Sequence, residues 1–131
     1  RRKKNVHLYI DGERLICRTV RPIFEEILYN LCDNGIKYNK DNGTVTIHLK
    51  DIGNAIQISV EDNGIGIPRE DRNRVFERFY RMDKSHSKEI GGTGLGLSIV
   101  KHGVAFLGGT LELTSEVDSG TEITVTLPKQ A

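Results

Sequence analysis

The sequence carries almost no net charge, little sulfur and no long apolar run. Lys and Arg number 19 against 18 Asp and Glu, for a formal net charge of +1. That balance supplies no overall field to gather nucleic acid or a membrane surface, so no nucleic-acid partner is expected. Arg1-Arg2-Lys3-Lys4 is basic, but four residues at a chain end read as a solvated terminus. The cysteines number 2, Cys17 and Cys32. They stand at no metal-ligand spacing, and no His or Cys cluster along the chain offers a zinc site. Two isolated thiols fit a reducing compartment. No apolar stretch approaches the ~20 residues that a membrane-spanning helix needs. No signal peptide is visible.

What is present suits one compact domain over residues 1–131, globular rather than disordered, with 37% hydrophobic and 28% charged residues. The chain opens on Arg1 rather than Met, which points to a piece of a longer protein. Val6, Leu8 and Ile10 alternate with polar residues, Asp11-Gly12 is turn chemistry, and Leu15 to Val20 can return, so a hairpin is expected. Pro22 suits the first turn of a helix, and Ile23, Phe24, Ile27, Leu28 and Leu31 continue it at helical spacing to about Asn39. Alternation predicts strands through Val45, Ile47, Leu49 and through Ile56, Ile58, Val60. Residues 63–93 have glycines or proline clustered at each end and a charged middle, where only Val75 to Tyr80 can pack. A stretch that long is expected to be functional or mobile. Gly94 to Leu107 reads as a helix, and Leu111, Leu113 and Ile123, Val125, Leu127 as two last strands joined near Asp118-Ser119-Gly120.

The informative residues are polar ones where the pattern calls for apolar. On a wheel turning about 100° per residue, Asn30 and Asn34 lie at the edge of the apolar stripe of the first helix, with Lys37 just beyond. An unpartnered buried amide costs roughly 1–3 kcal/mol, so two of them need partners, in neighbouring loops or in a ligand. Asp62 shares parity with Ile56, Ile58 and Val60. It is either a buried carboxylate that must be paired or a strand-end aspartate turned to solvent. Thr121 shares parity with Ile123, Val125 and Leu127, as an ordinary strand threonine also would.

Two glycine segments flank these residues. Gly64 and Gly66 follow Asp62, and Gly91-Gly92-Thr93-Gly94-Leu95-Gly96 opens a helix whose N–H groups can converge on an anion. The second is no Walker loop, lacking Gly-Lys-Ser/Thr, and no Rossmann fingerprint, lacking a leading strand. Together they allow one nucleotide site. A buried acid can read an exocyclic amine, two neutral amides can serve Mg²⁺, and Lys37 can meet phosphate.

At these residues the chain resembles the ATP-binding catalytic domain of bacterial sensor histidine kinases, within the gyrase–chaperone–kinase–MutL ATPase superfamily. Asn30-Leu31-Cys32-Asp33-Asn34-Gly35-Ile36-Lys37-Tyr38 is similar to the N box and Asp62-Asn63-Gly64-Ile65-Gly66-Ile67-Pro68 to the G1 box. Phe76-Glu77-Arg78-Phe79-Tyr80-Arg81 resembles the F box and Gly92-Thr93-Gly94-Leu95-Gly96-Leu97 the G2 box. The boxes stand in family order and the resemblance covers nearly the whole chain. It implies a two-layer α/β sandwich of the Bergerat type, a mixed sheet with helices on one face and a mobile ATP lid. It implies Asn30 and Asn34 on Mg²⁺. Asp62 would take the adenine amino group, supported by Thr121 and Gly66 and bordered by Gly64 and Ile65. Lys37 and Tyr38 would meet phosphate and the nucleotide edge. Gly92, Thr93, Gly94, Leu95, Gly96 and Leu97 would wrap the phosphates, and Arg78 and Arg81 are candidates to approach the terminal one.

The resemblance also implies transfer of the γ-phosphoryl group to a histidine on a separate dimerisation domain, and then to a response regulator. The parent would be a membrane-anchored homodimer with this domain on its cytoplasmic side, and the fragment a monomer. The superfamily's hydrolases carry a water-activating glutamate where this chain has Asn30, and an amide cannot take that proton. His7, His48, His86 and His102 lack the acidic residue that follows the family's acceptor histidine. Two features depart from the family: Gly103 inside the last helix, at roughly 1 kcal/mol relative to Ala, and Ala105-Phe106-Leu107 before Gly108. The rivals are an anti-sigma-factor-type serine kinase and a module that holds nucleotide without transferring phosphate.

Overall fold

The computed structural model describes residues 4–80 and 94–129. In chain order these form β1 (Val6–Gly12), α1 (Arg21–Lys37), β2 (Gly43–Asp51), β3 (Ala55–Asp62), a 3₁₀ turn (Arg69–Asp71), α2 (Gly96–Phe106), β4 (Thr110–Glu116) and β5 (Gly120–Pro128). One five-stranded sheet runs β1-β2-β3-β5-β4. β1 and β2 are parallel, and every other pair is antiparallel. The mixed sheet follows from the connections: α1 is the crossover that lets β2 return beside β1 in the same direction.

The alternating residues sort onto two faces. Val45, Ile47, Ile56, Ile58, Val60, Ile123, Val125 and Leu127 meet Ile27 and Leu31 of α1 and Val100 and Val104 of α2 in one buried cluster. Gly103 is explained here. A methyl group on it would sit 3.0 Å from Ile27 Cγ1 and 3.3 Å from Ile23 Cγ2, so the missing side chain is what lets the two helices close on each other. The opposite face is polar, with Ser59 and Thr124 hydroxyls 2.8 Å apart and Gln57 donating to Thr126 at 3.2 Å. The expected two-layer sandwich, with helices on one face of a mixed sheet, is therefore the observed one.

The expected hairpin at residues 6–20 does not form. Asp11 and Gly12 continue β1, in register with His48 and Leu49 of β2. Gly12 adopts φ +132°, and a Cβ there would strike the Leu49 backbone, so this glycine serves close strand pairing rather than a reverse turn. The segment expected to return pairs elsewhere: the Arg18 N–H donates to the Lys129 carbonyl at 2.8 Å. The local turn signal lost to a long-range ladder that alternation alone does not reveal. The first helix ends two residues early, at Lys37, where the Lys4 ammonium donates to the carbonyls of Lys37 and Asn39, each at 2.8 Å. A cation there satisfies free carbonyls and suits the negative end of the helix. The last part of the expected lid, residues 81–93, lies outside the described residues.

Candidate functional site

The polar residues singled out above meet at one end of the sandwich. A cavity of about 340 Å³ opens between the edge of α1, the end of β3, the start of β5 and the start of α2. Asn30, Asn34, Lys37, Tyr38, Asp62, Gly66, Gly94, Leu95, Gly96, Leu97 and Thr121 all line it. Gly35 lets α1 settle there: a Cβ on it would lie 3.3 Å from Val45 and 3.6 Å from Asp62.

Asp62 is buried, 8% exposed, and so is not turned to solvent. Its Oδ1 accepts the Gly64 N–H at 2.9 Å. Burial raises its carboxyl above the usual aspartate range, while the backbone N–H groups of Gly64 and Thr121 pull the other way. Thr121 stands opposite Asp62 in the strand register. Its hydroxyl is 2.8 Å from the Ser115 hydroxyl, which takes the Ile67 N–H at 2.8 Å and lies 2.9 Å from the Gly120 carbonyl. A carbonyl only accepts, so the single Ser115 proton goes to Gly120 and Thr121 donates to Ser115. Thr121 lines the cavity beside Asp62, and with its proton given to Ser115 its hydroxyl oxygen keeps the capacity to accept. Gly66 turns the chain under this pair with φ +75°, where a Cβ would strike the Glu116 carbonyl.

Across the cavity, the buried Asn30 amide donates to the Glu26 carbonyl at 2.8 Å. That bond fixes its orientation and turns Oδ1 toward Gly96, where a Cβ would lie only 3.2 Å away. Asn34 lines the cavity half-buried, one turn further on. Lys37 is paired with Asp33 at 2.9 Å, so an incoming anion must compete with that carboxylate. The start of α2 lines the space with Leu95, Gly96 and Leu97, setting the N-terminal end of a helix where an anion site uses one.

Three expected residues stand elsewhere. Gly64 and Ile65 hold the loop rather than line the cavity: the Ile65 N–H donates to the Tyr38 carbonyl at 3.1 Å and its carbonyl accepts from Asp118 at 2.8 Å. The Arg78 guanidinium lies over the Phe79 ring, 5.2 Å from its centre, and lines a separate apolar groove between α1 and α2. Gly92, Thr93 and Arg81 fall outside the described residues. Sequence reading missed Tyr29, Asp33, Ile67, Val75, Tyr80 and Ile99 in the lining, and Ser115 behind it. Asp33 was within reach, since it falls three residues after Asn30 and four before Lys37 on one helix edge. Ser115 was not, because only the β4–β5 register sets it opposite Thr121.

Comparison with known proteins places the chain and its fold. Residues 19–131 match the family described as histidine kinase-, DNA gyrase B- and HSP90-like ATPases. The sensor-like histidine kinase SenX3 of Mycolicibacterium smegmatis is 45% identical over 100 residues, 76% of this chain and 26% of that protein. The sensor histidine kinase WalK of Bacillus subtilis is 45% identical over 105 residues, 79% of this chain and 17% of WalK. The chain thus spans about a quarter or less of these relatives. Among solved structures, the mycobacterial sensor histidine kinase MprB superposes with a TM-score of 0.82 at 28% identity, covering 95% of this chain and 84% of the other. The catalytic domain of histidine kinase ThkA gives 0.80 at 26% identity, covering 96% and 82%. With the family match spanning most of its length and its fold shared with these histidine kinase structures, the chain belongs to the histidine kinase-, DNA gyrase B- and HSP90-like ATPase family.

Proposed function

We propose that this single domain binds Mg-ATP and donates the γ-phosphoryl group to a histidine on a separate dimerisation domain, feeding a response regulator in two-component signalling. The observation that carries the nucleotide reading is the buried Asp62 carboxylate beside the Thr121 hydroxyl oxygen, two acceptors in the lining of one cavity. An exocyclic amine carries two N–H donors and suits that pair. The relatives' names, sensor histidine kinases, carry the transfer reading.

The cavity wall fits a metal-bound polyphosphate. Among the described residues it bears the carboxylates of Asp33 and Asp62 against the Lys37 ammonium, so side chains alone leave a polyphosphate's charge unbalanced. Neutral amide oxygens of Asn30 and Asn34 would hold Mg²⁺, an ion usually kept by few protein ligands with phosphate and water. The ion would neutralise charge as the phosphoryl group leaves. Asn30 offers no base to activate water, so ATP would persist until an acceptor histidine arrives. The domain would work on the cytoplasmic side of a larger, membrane-anchored homodimer; among the described residues no helix is long and apolar enough to cross a membrane.

Calorimetry with a nonhydrolysable ATP analogue, with and without Mg²⁺, tests this reading. Asp62→Asn is expected to weaken the analogue more than tripolyphosphate, and equal losses would contradict the adenine role. Asn34→Ala is expected to abolish the gain from Mg²⁺. Labelled phosphate should reach a separately supplied dimerisation domain of the same parent. Nucleotide binding without any such transfer would leave only a nucleotide-binding module.

A further inference from the structure

The face of the sheet turned away from α1 and α2 carries a cluster that the nucleotide cavity does not use. His48 of β2, Glu61 of β3 and Glu122 of β5 bring an imidazole nitrogen and two carboxylate oxygens within 4.8 Å of one another. His48 Nε2 is 2.9 Å from Glu61 Oε1, and on the other side of the ring Nδ1 is 3.4 Å from Asp11 Oδ2 of β1. The register builds this arrangement. Glu61 stands directly opposite Glu122, and His48 is the next same-face position along β2 from Thr46, the partner of Glu61.

Two like charges directly opposite on a sheet repel. A cation shared between them removes that repulsion, and the imidazole beside them selects its kind. Mg²⁺ and Ca²⁺ favour all-oxygen surroundings, whereas first-row transition ions accept imidazole with carboxylates. Metal–ligand bonds of about 2.0–2.2 Å set neighbouring donors roughly 3.4 Å apart in a tetrahedral site. The Glu61 side chain is more than half exposed, so rotation can bring its oxygen to that spacing without moving the backbone. A carboxylate behind a ligating imidazole is a common support for such sites, because it fixes the ring and its tautomer.

We propose that His48, Glu61 and Glu122 form a surface site for a divalent transition-metal ion, with Asp11 positioning the imidazole. The ion would tie β2, β3 and β5 together, with its remaining positions open to water. It would sit back to back with the nucleotide cavity, since Glu61 precedes Asp62 and Glu122 follows Thr121. The proposal does not depend on ATP binding.

The probe is Zn²⁺ alone, titrated calorimetrically into the nucleotide-free chain, with thermal melts alongside. One ion per chain and a raised melting temperature are expected. His48→Gln and Glu122→Gln should each weaken binding more than tenfold and remove the melting shift. Asp11→Asn should cost about tenfold, as loss of a supporting carboxylate does elsewhere. Glu122→Gln also relieves the carboxylate repulsion, so it is expected to fold and keeps the test decisive if His48→Gln does not. Absence of one-to-one binding overturns the proposal. So does Zn²⁺ affinity retained in both variants, which would assign the ion to Cys17, Cys32 or another histidine. Mg²⁺ binding as tightly as Zn²⁺ would remove the role given to the imidazole.

Discussion

Asp62 sits at the end of an apolar row, and its burial has a cost that stability should reveal. Its carboxyl titrates above the ordinary aspartate range, chiefly through desolvation. The folded state therefore holds the proton to higher pH than the unfolded state does. In that window the folded form binds more protons, so stability falls as pH rises through it. Below the window the penalty is absent, and above it the penalty is complete. Asp62→Asn should lose this component of the pH dependence; denaturant midpoints across the acid range, compared with the parent, check it. Ser115 acts at the same scale without touching the cavity. Ser115→Ala strands the buried Ile67 N–H and frees the Thr121 hydroxyl to rotate. A loss on the order of 1–3 kcal/mol in stability is expected, along with weaker binding of the ATP analogue. A melting temperature unchanged from the parent would contradict the hydrogen-bond network around Ser115.

The two helices are joined by their contact with each other as well as by the sheet. Gly103 was an oddity of composition, a poor helix former in a helix interior. Its place against Ile23 and Ile27 turns that weakness into a packing requirement. Gly103→Ala should gain roughly 1 kcal/mol of helix propensity and lose about 1–3 kcal/mol to overpacking. A net destabilisation, read by urea unfolding, is the expected sign, and a more stable variant would show that the helices can part freely. The first strand shows the opposite lesson. Asp11-Gly12 is strong local turn chemistry, yet both residues belong to β1 because parallel pairing with β2 satisfies their backbone groups. Local signals fix an element when periodicity and burial agree, as in α1, and fail where a partner far along the chain supplies the hydrogen bonds.

At the scale of the whole molecule, the sandwich separates two polar regions on opposite sides of one sheet. Asp62 and Thr121 face the helices, while their chain neighbours Glu61 and Glu122 face the other way. A ligand that binds only the folded form stabilises it by mass action, by ~2.7 kcal/mol at a hundredfold excess over its dissociation constant. A Mg²⁺–ATP analogue should therefore raise the melting temperature of the chain, and Mg²⁺ alone should raise it far less. Equal shifts from both would show that the nucleotide adds no stabilisation and would contradict the ATP reading.

The sequence by itself determined the strand and helix faces, because periods of two and of 3.6 write burial directly into the order of residues. It also singled out Asn30, Asn34, Asp62 and Thr121, because a polar group on an apolar face needs a partner wherever that partner lies. The tertiary structure alone decided what those partners are. Strand order and register are long-range facts: they set Ser115 behind Thr121, carried β1 past its turn signal into a parallel pair, and drew Arg78 to a groove outside the cavity. They also brought His48, Glu61 and Glu122 together from three strands, a cluster with no spacing along the chain to betray it. Residues far apart in sequence become neighbours only when the sheet chooses its pairings, and no local pattern encodes that choice.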